Sequence, residues 1–277
     1  MRPRGDGEGR NKVNRIEFDA LVDDLSAEGE ALDAIVAPLD DAAWATPTPA
    51  AGWDVRDQVA HLAATEEWAL RSLTDADGFR AALAALADDP DRRATEVQTG
   101  RLGCRTPEGG VLAWWRDRRH ATGEALRAHE PSDRVPWFGP DMSVTSLATA
   151  RLMETWAHGQ DVIDALGLDR PPTPRLRHVG EIGVRTRGFA YALRGLPIPA
   201  AGVRVELIGP DGDEWSWGPE GAVDRIRGTA LDWCLVVTQR RNPADTALVA
   251  EGAAAREWLG IAQAFAGAPT DHRPPRT

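Results

Sequence analysis

The stretch RLMETWAHGQD, Arg151 to Asp161, decides how the rest of the chain is read. Its spacing predicts one helix with Glu154 and His158 a turn apart. Residues at i and i+4 share a helix face, so these two side chains can address one object. Arg151 precedes Glu154 by three positions and Asp161 follows His158 by three, giving a polar stripe on a helix that also carries Leu152, Met153, Trp156, Val162, Ile163 and Leu166. A solvated helix face accounts for such a stripe without any chemistry.

A second stretch, GWDVRDQVAHLAATEEW from Gly52 to Trp68, strengthens the chemical reading. It places His61 in the middle of another amphipathic helix. One His from one helix and a Glu/His pair from another make a three-ligand set, the count of an open metal site that leaves a position for water or substrate. Histidine nitrogen and carboxylate oxygen suit zinc. Iron(II) or nickel accept the same donors; with no thiolate in the set and no redox partner in view, zinc is the first choice. Asp161 is a candidate second carboxylate, accepting the free N–H of a ligating imidazole, or else a plain helix-face acid. Arg151 is a candidate to hold a substrate carboxylate, or else a salt-bridged structural residue. A fourth ligand from Asp161 or Glu66 would close the site and make it structural.

Around these stretches the chain reads as helices first. Val13 to Leu39 has apolar residues at helical spacing and is stopped by Pro38 and Pro47-Thr48-Pro49. Asp54 caps the helix of His61, which runs to about Leu73, and Asp57 favours its positive end. Ala81 to Ala87 is a short helix. A polar loop with Gly100, Gly103 and Pro107 leads to a helix over Gly110 to His129. Pro131 to Pro140 is a loop with Trp137 and Phe138 exposed. The last long helix runs from Ser143 to Leu166, with Gly167 as its stop. Four long helices predict a four-helix bundle over residues 15–170, and bundles build metal sites from inward-facing side chains of neighbouring helices.

Pro171-Pro172-Thr173-Pro174 marks a boundary, after which the texture changes. Arg175 to Leu193 reads as a helix, Val203 to Ile208 and Glu214 to Trp217 as a hairpin around Pro210-Asp211-Gly212, Thr229 to Gln239 as a helix, Thr246 to Glu251 as a strand and Ala253 to Phe265 as a helix. Residues 175–268 are thus a small α+β domain. Residues 1–14 read as a disordered leader and 269–277 as a disordered tail.

Composition limits the alternatives. No run of apolar residues is long enough to span a membrane, and no apolar segment follows the basic N-terminus as in a secretion signal. Net charge is −11 with no basic stripe, which argues against nucleic acid as a partner. Cys104 and Cys234 suggest no disulfide framework and fit a reducing cytoplasm. Cys104, between Arg101 and Arg105, is either a thiol of lowered pKa or an ordinary one. His120 and His129 read as surface residues, and His178 and His272 fall outside the bundle. Tryptophan, at 11, outnumbers Phe and Tyr together, so some indoles are candidates to line a cleft while most form core. Phosphate-loop, nucleophile-elbow, dinucleotide and H-E-x-x-H patterns are absent. Monomer and homodimer both remain open.

GWDVRDQVAHL with His61, followed by RLMETWAHGQDV with Glu154 and His158, resembles the mycothiol-dependent maleylpyruvate isomerase group of the DinB-like metal-binding bundles. Past the linker, VELIGPDGDEWSWGPE and the stretch from GTALDWCLVV to AFAGAP are similar to the sterol-carrier-like C-terminal domain of an actinobacterial subgroup. The near-absence of lysine, Lys12 alone, suits such a high-GC source. The resemblance implies a bundle-borne zinc on His61, Glu154 and His158 and mycothiol as co-substrate, activated for attack on a small electrophilic or acidic molecule. Three functional readings follow. The first is thiol-assisted isomerisation or S-transfer. The second is thiol-independent metal-dependent hydrolysis, elimination or rearrangement in specialised metabolism. The third is a non-catalytic metal- or ligand-binding module.

Overall fold

The computed structural model describes residues 14–86 and 110–276. The leader up to residue 13, the polar loop and Cys104 lie outside the described residues. The chain opens with α1 (Arg15–Val36), α2 (Asp41–Trp44), α3 (Val55–Thr74), α4 (Ala76–Ala85) and α5 (Gly110–Arg127). A two-residue antiparallel pairing of β1 (Arg134–Val135) with β2 (Met142–Ser143) then leads into α6 (Val144–Leu166).

Local chemistry accounts for the ends of these helices. Asn14 and Glu17 form a reciprocal capping box on α1, and Asp54 and Asp57 form one on α3. Ser143 accepts from Ser146 N at the start of α6, and Gly167, at φ 64°, closes its other end in the left-handed conformation that glycine adopts freely. Helices α1, α3, α5 and α6 pack on one another as the expected bundle.

The C-terminal part comprises α7 (Leu176–Arg185), α8 (Arg187–Leu193), β3 (Val203–Ile208), β4 (Glu214–Trp217), β5 (Asp224–Thr229), α9 (Ala230–Val237), β6 (Val249–Glu251) and α10 (Ala253–Ile261). Its sheet has the order β4-β3-β5-β6. The β3/β4 hairpin is antiparallel, with Val205 opposite Trp217 and Leu207 opposite Trp215. Strand β5 runs parallel to β3, and β6 pairs antiparallel with β5. One face of the sheet carries Val203, Val205, Leu207, Trp215 and Ile226 into the core, against α7, α9 and α10.

Four expectations need correction. Arg175 to Leu193 is two helices, because the Thr186 hydroxyl bonds back to the carbonyls of Ile182 and Gly183 and ends the first. Trp137 and Phe138 are half-buried, packed with Trp68 and Phe79. His129 is an interior tie as much as a surface group: its Nε2 lies 3.0 Å from the Leu73 carbonyl. The tail expected to be disordered is laid against the fold. Thr270 Oγ1 donates to Gln239 Oε1, Arg273 Nη2 donates to Asp161, and the Arg276 N–H reaches Asp245.

The two parts share one apolar core. Phe18, Leu21, Leu152 and Trp156 of the bundle belong to the same buried cluster as Leu176, Val205, Trp233 and Trp258 beyond the linker. The proline-rich boundary is itself pinned, since Glu28, 1% exposed, pairs with Arg170 and Arg175 on either side of it.

Candidate metal centre

His61 comes from the middle of α3, and Glu154 and His158 from adjacent turns of α6. Their ligand atoms lie within 4.8 Å of one another. Glu154 Oε2 is 3.2 Å from His158 Nε2 and 3.7 Å from His61 Nε2. The imidazole centroids are 4.4 Å apart. All three side chains are largely but not wholly buried, at 12%, 20% and 13% exposure for His61, Glu154 and His158. Trp53, in the turn before α3, stacks on His158 at 5.9 Å and tilts against His61 at 5.4 Å. It is the indole that lines the site; most others are core.

The site favours ionised carboxylate and neutral imidazole. Burial pushes the Glu154 carboxyl up, but the imidazoles of His158 and His61, when protonated, donate to it and attract it, which holds it well below the usual carboxylate range. Burial together with the nearby His61 pulls His158 down to about 4. Carboxylate and neutral imidazole are the forms that ligate a divalent metal, so the residues present fit the group that the sequence implies.

The other candidates are placed elsewhere. Arg151, 2% exposed, donates to Glu66 Oε1 at 3.0 Å and to Thr65 Oγ1 at 2.9 Å inside the bundle, the salt-bridged arrangement. Asp161 is fully buried, and its recorded partners are arginines, not the imidazoles. It receives Arg273 at 2.6 Å and lies 3.1 Å from Arg240, which also donates to the carbonyl of Ala157. Burial raises the Asp161 carboxyl and the charges of the two arginines more than reverse the shift. With Glu66 and Asp161 both held in ion pairs, the converging set among the described residues stays at three ligands.

Sequence reasoning missed Gln58. Its Oε1 lies 2.5 Å from His158 Nδ1, in the place expected of Asp161. The signal was present, since Gln58 precedes His61 by three positions and shares its helix face. A glutamine in that position has no pattern to distinguish it from ordinary polar surface.

Residues 25–163 match the family model described as the mycothiol maleylpyruvate isomerase N-terminal domain, and the chain belongs to that family. Two strains of Mycobacterium tuberculosis each have a protein, described as uncharacterized, that is 47% identical over 249 residues, spanning 90% of this chain and 96% of the relative. The structure aligns with the crystal structure of the mycothiol-dependent maleylpyruvate isomerase at a TM-score of 0.54 and 16% identity, covering 86% of this chain and 93% of that one. A histidine-to-alanine mutant of the same enzyme aligns at 0.53. At that identity the likeness is one of fold.

Proposed function

We propose that this chain is a zinc-dependent enzyme that uses a small thiol, of the mycothiol type, to isomerise or modify a small electrophilic acid. One observation carries the reading: His61 Nε2, His158 Nε2 and Glu154 Oε2 converge from two helices, while the neighbouring acids Asp161 and Glu66 are held in ion pairs. Three protein ligands leave a position open, whereas structural zinc sites are closed by four. Membership of the mycothiol maleylpyruvate isomerase family supports the thiol as co-substrate.

Zinc held there would lower the pKa of a thiol bound to it, supplying a nucleophile at neutral pH. The chain's own part is to present two imidazole lone pairs and one carboxylate in a fixed triangle. Trp53 packs against the two imidazoles. In an isomerisation the thiolate sulfur adds to one carbon of a conjugated double bond and the electrons pass to the conjugated carbonyl. Rotation about the resulting single bond follows. The carbon–sulfur bond then breaks, the double bond reforms and the thiolate departs unchanged. A transferase would protonate the adduct and release it.

The test is metal content of the wild type and His158→Ala, both purified without chelator. About one zinc per chain in the wild type, lost in the variant, supports the site. The same content in both would overturn it. Thiol dependence of turnover on a cis-configured conjugated keto acid then separates thiol chemistry from a thiol-independent reaction.

A further inference from the structure

Gln58 is fully buried, and the two ends of its amide meet different partners. Nε2 donates to Thr48 Oγ1 at 2.8 Å, and Oε1 lies 2.5 Å from His158 Nδ1. Thr48 Oγ1 in turn donates to the Trp53 carbonyl at 3.0 Å. This last bond sets the direction of the whole chain. A hydroxyl has one proton. Once it is given to a carbonyl, the oxygen can only accept from its other neighbour, so the NH2 end of Gln58 must face Thr48. The amide oxygen then faces the imidazole, and an amide oxygen only accepts. Nδ1 of His158 must therefore carry a ring proton, and in the neutral ring Nε2 is the bare nitrogen. Nε2 is also the atom 3.2 Å from Glu154 Oε2. Two lone pairs then face one another, an arrangement that a shared cation stabilises.

We infer that Gln58 is a positioning residue for His158: the Trp53–Thr48–Gln58 chain locks that ring in the Nδ1–H tautomer and aims Nε2 at the metal position. The inference rests on the metal reading above. The turn that carries the chain is built for it. The Thr48 N–H donates to the same Trp53 carbonyl at 2.8 Å, Pro47 bridges to Asp54, and Gly52 takes a φ of 78° that a side chain would resist. The same turn thus supplies the indole over the site and the hydroxyl that orients the amide. His61 has no equivalent, since its Nδ1 is buried without a hydrogen-bond partner among the described residues.

The choice of an amide has a chemical consequence. A carboxylate on Nδ1 raises the donor strength of the imidazole at Nε2. A neutral amide orients the ring equally well but leaves it a weaker donor. Such a ligand neutralises less of the charge on a metal, which then acts more strongly on a bound thiol.

The experiment compares wild type, Gln58→Leu, Gln58→Glu and Thr48→Val by zinc competition titration and by nitrogen-15 NMR of the histidines in metal-free protein at neutral pH. The wild type is expected to show His158 as a single Nδ1–H tautomer, and Thr48→Val a mixture. Zinc affinity should fall about 10- to 100-fold in Gln58→Leu and rise in Gln58→Glu. An Nε2–H tautomer for His158 in the wild type would overturn the inference, as would unchanged zinc affinity in Gln58→Leu. Absence of zinc binding in the wild type would overturn the metal reading instead, and the tautomer would still decide the role of Gln58. Should Gln58→Leu fail to fold, Thr48→Val, which is only partly buried, carries the NMR test.

Discussion

Arg273 Nη2 donates to Asp161 Oδ1 at 2.6 Å, so the C-terminal tail is tied to the same helix that carries both Glu154 and His158. Asp161 lies one turn beyond His158, and Arg240 reaches it from the end of α9. These ion pairs join the two halves of the molecule one helical turn from His158. Arg273→Ala should cost about 1.5–3 kcal/mol, the range for a hydrogen bond to a charged group, measured by urea unfolding. Zinc affinity should change far less in Arg273→Ala and Asp161→Asn than in Gln58→Leu. If Asp161→Asn weakens zinc as much as Gln58→Leu does, Asp161 acts on the metal and is more than an ion-pair partner.

Arg151 and Glu66, each 2% exposed, form a bond between α6 and α3. Removing one partner strands the other charge. Arg151→Ala should therefore destabilise by about 3–5 kcal/mol. The double replacement Arg151→Met with Glu66→Leu should cost clearly less than the sum of the two single changes, a coupling visible in a double-mutant cycle. A residue that held substrate would behave otherwise: Arg151→Ala would raise KM and leave the unfolding midpoint in place.

The aromatic cluster around Phe79 makes a third test. Phe79 is fully buried, with Trp68 at 5.3 Å, Phe138 at 5.6 Å and Trp137 at 6.0 Å. Phe79→Ala should cost about 3–5 kcal/mol and loosen the Pro131–Pro140 segment. Tryptophan fluorescence should then report a more solvated Trp137. An unchanged spectrum and unfolding midpoint would show that the segment is held by something other than these rings.

The bundle was legible because its signals are local. Asp54, Ser143 and Gly167 mark helix ends through the chemistry of their own side chains or backbones, and the i, i+4 relation of Glu154 and His158 follows from helix geometry alone. Strand β5 was not legible. Its sequence, Asp224 to Thr229, sends Arg225 and Arg227 outward to Glu206 on β3 and spends Asp224 on the N–H groups of Ala254 and Ala255, leaving Ile226 as its buried apolar residue. A strand stabilised by partners elsewhere in the chain carries little alternation of its own. The same reason hid the partners of Gln58, Arg151 and Asp161. A buried polar side chain is defined by what it meets, and the partners of Asp161 lie about eighty and more than a hundred residues away.

His158 links the site to pH. Its folded pKa is pulled down to about 4 from an ordinary 6.5, by burial first and the nearby His61 second. Between those values the unfolded chain binds a proton that the folded chain does not, so stability of the metal-free protein falls as pH drops through that window and is flat above it. The loss from about pH 8 to about pH 5 should be on the order of 2 kcal/mol from this group. His272, whose folded pKa is also depressed by burial, adds a loss of the same sign. Below 4.5 the depressed Glu154 carboxylate adds another. Urea unfolding with chelator present, at pH values spanning the window, should show the slope in the wild type and a shallower one in His158→Ala. Equal slopes in the two proteins would mean that the folded His158 takes up its proton as readily as the unfolded chain does, so that burial and His61 do not depress it.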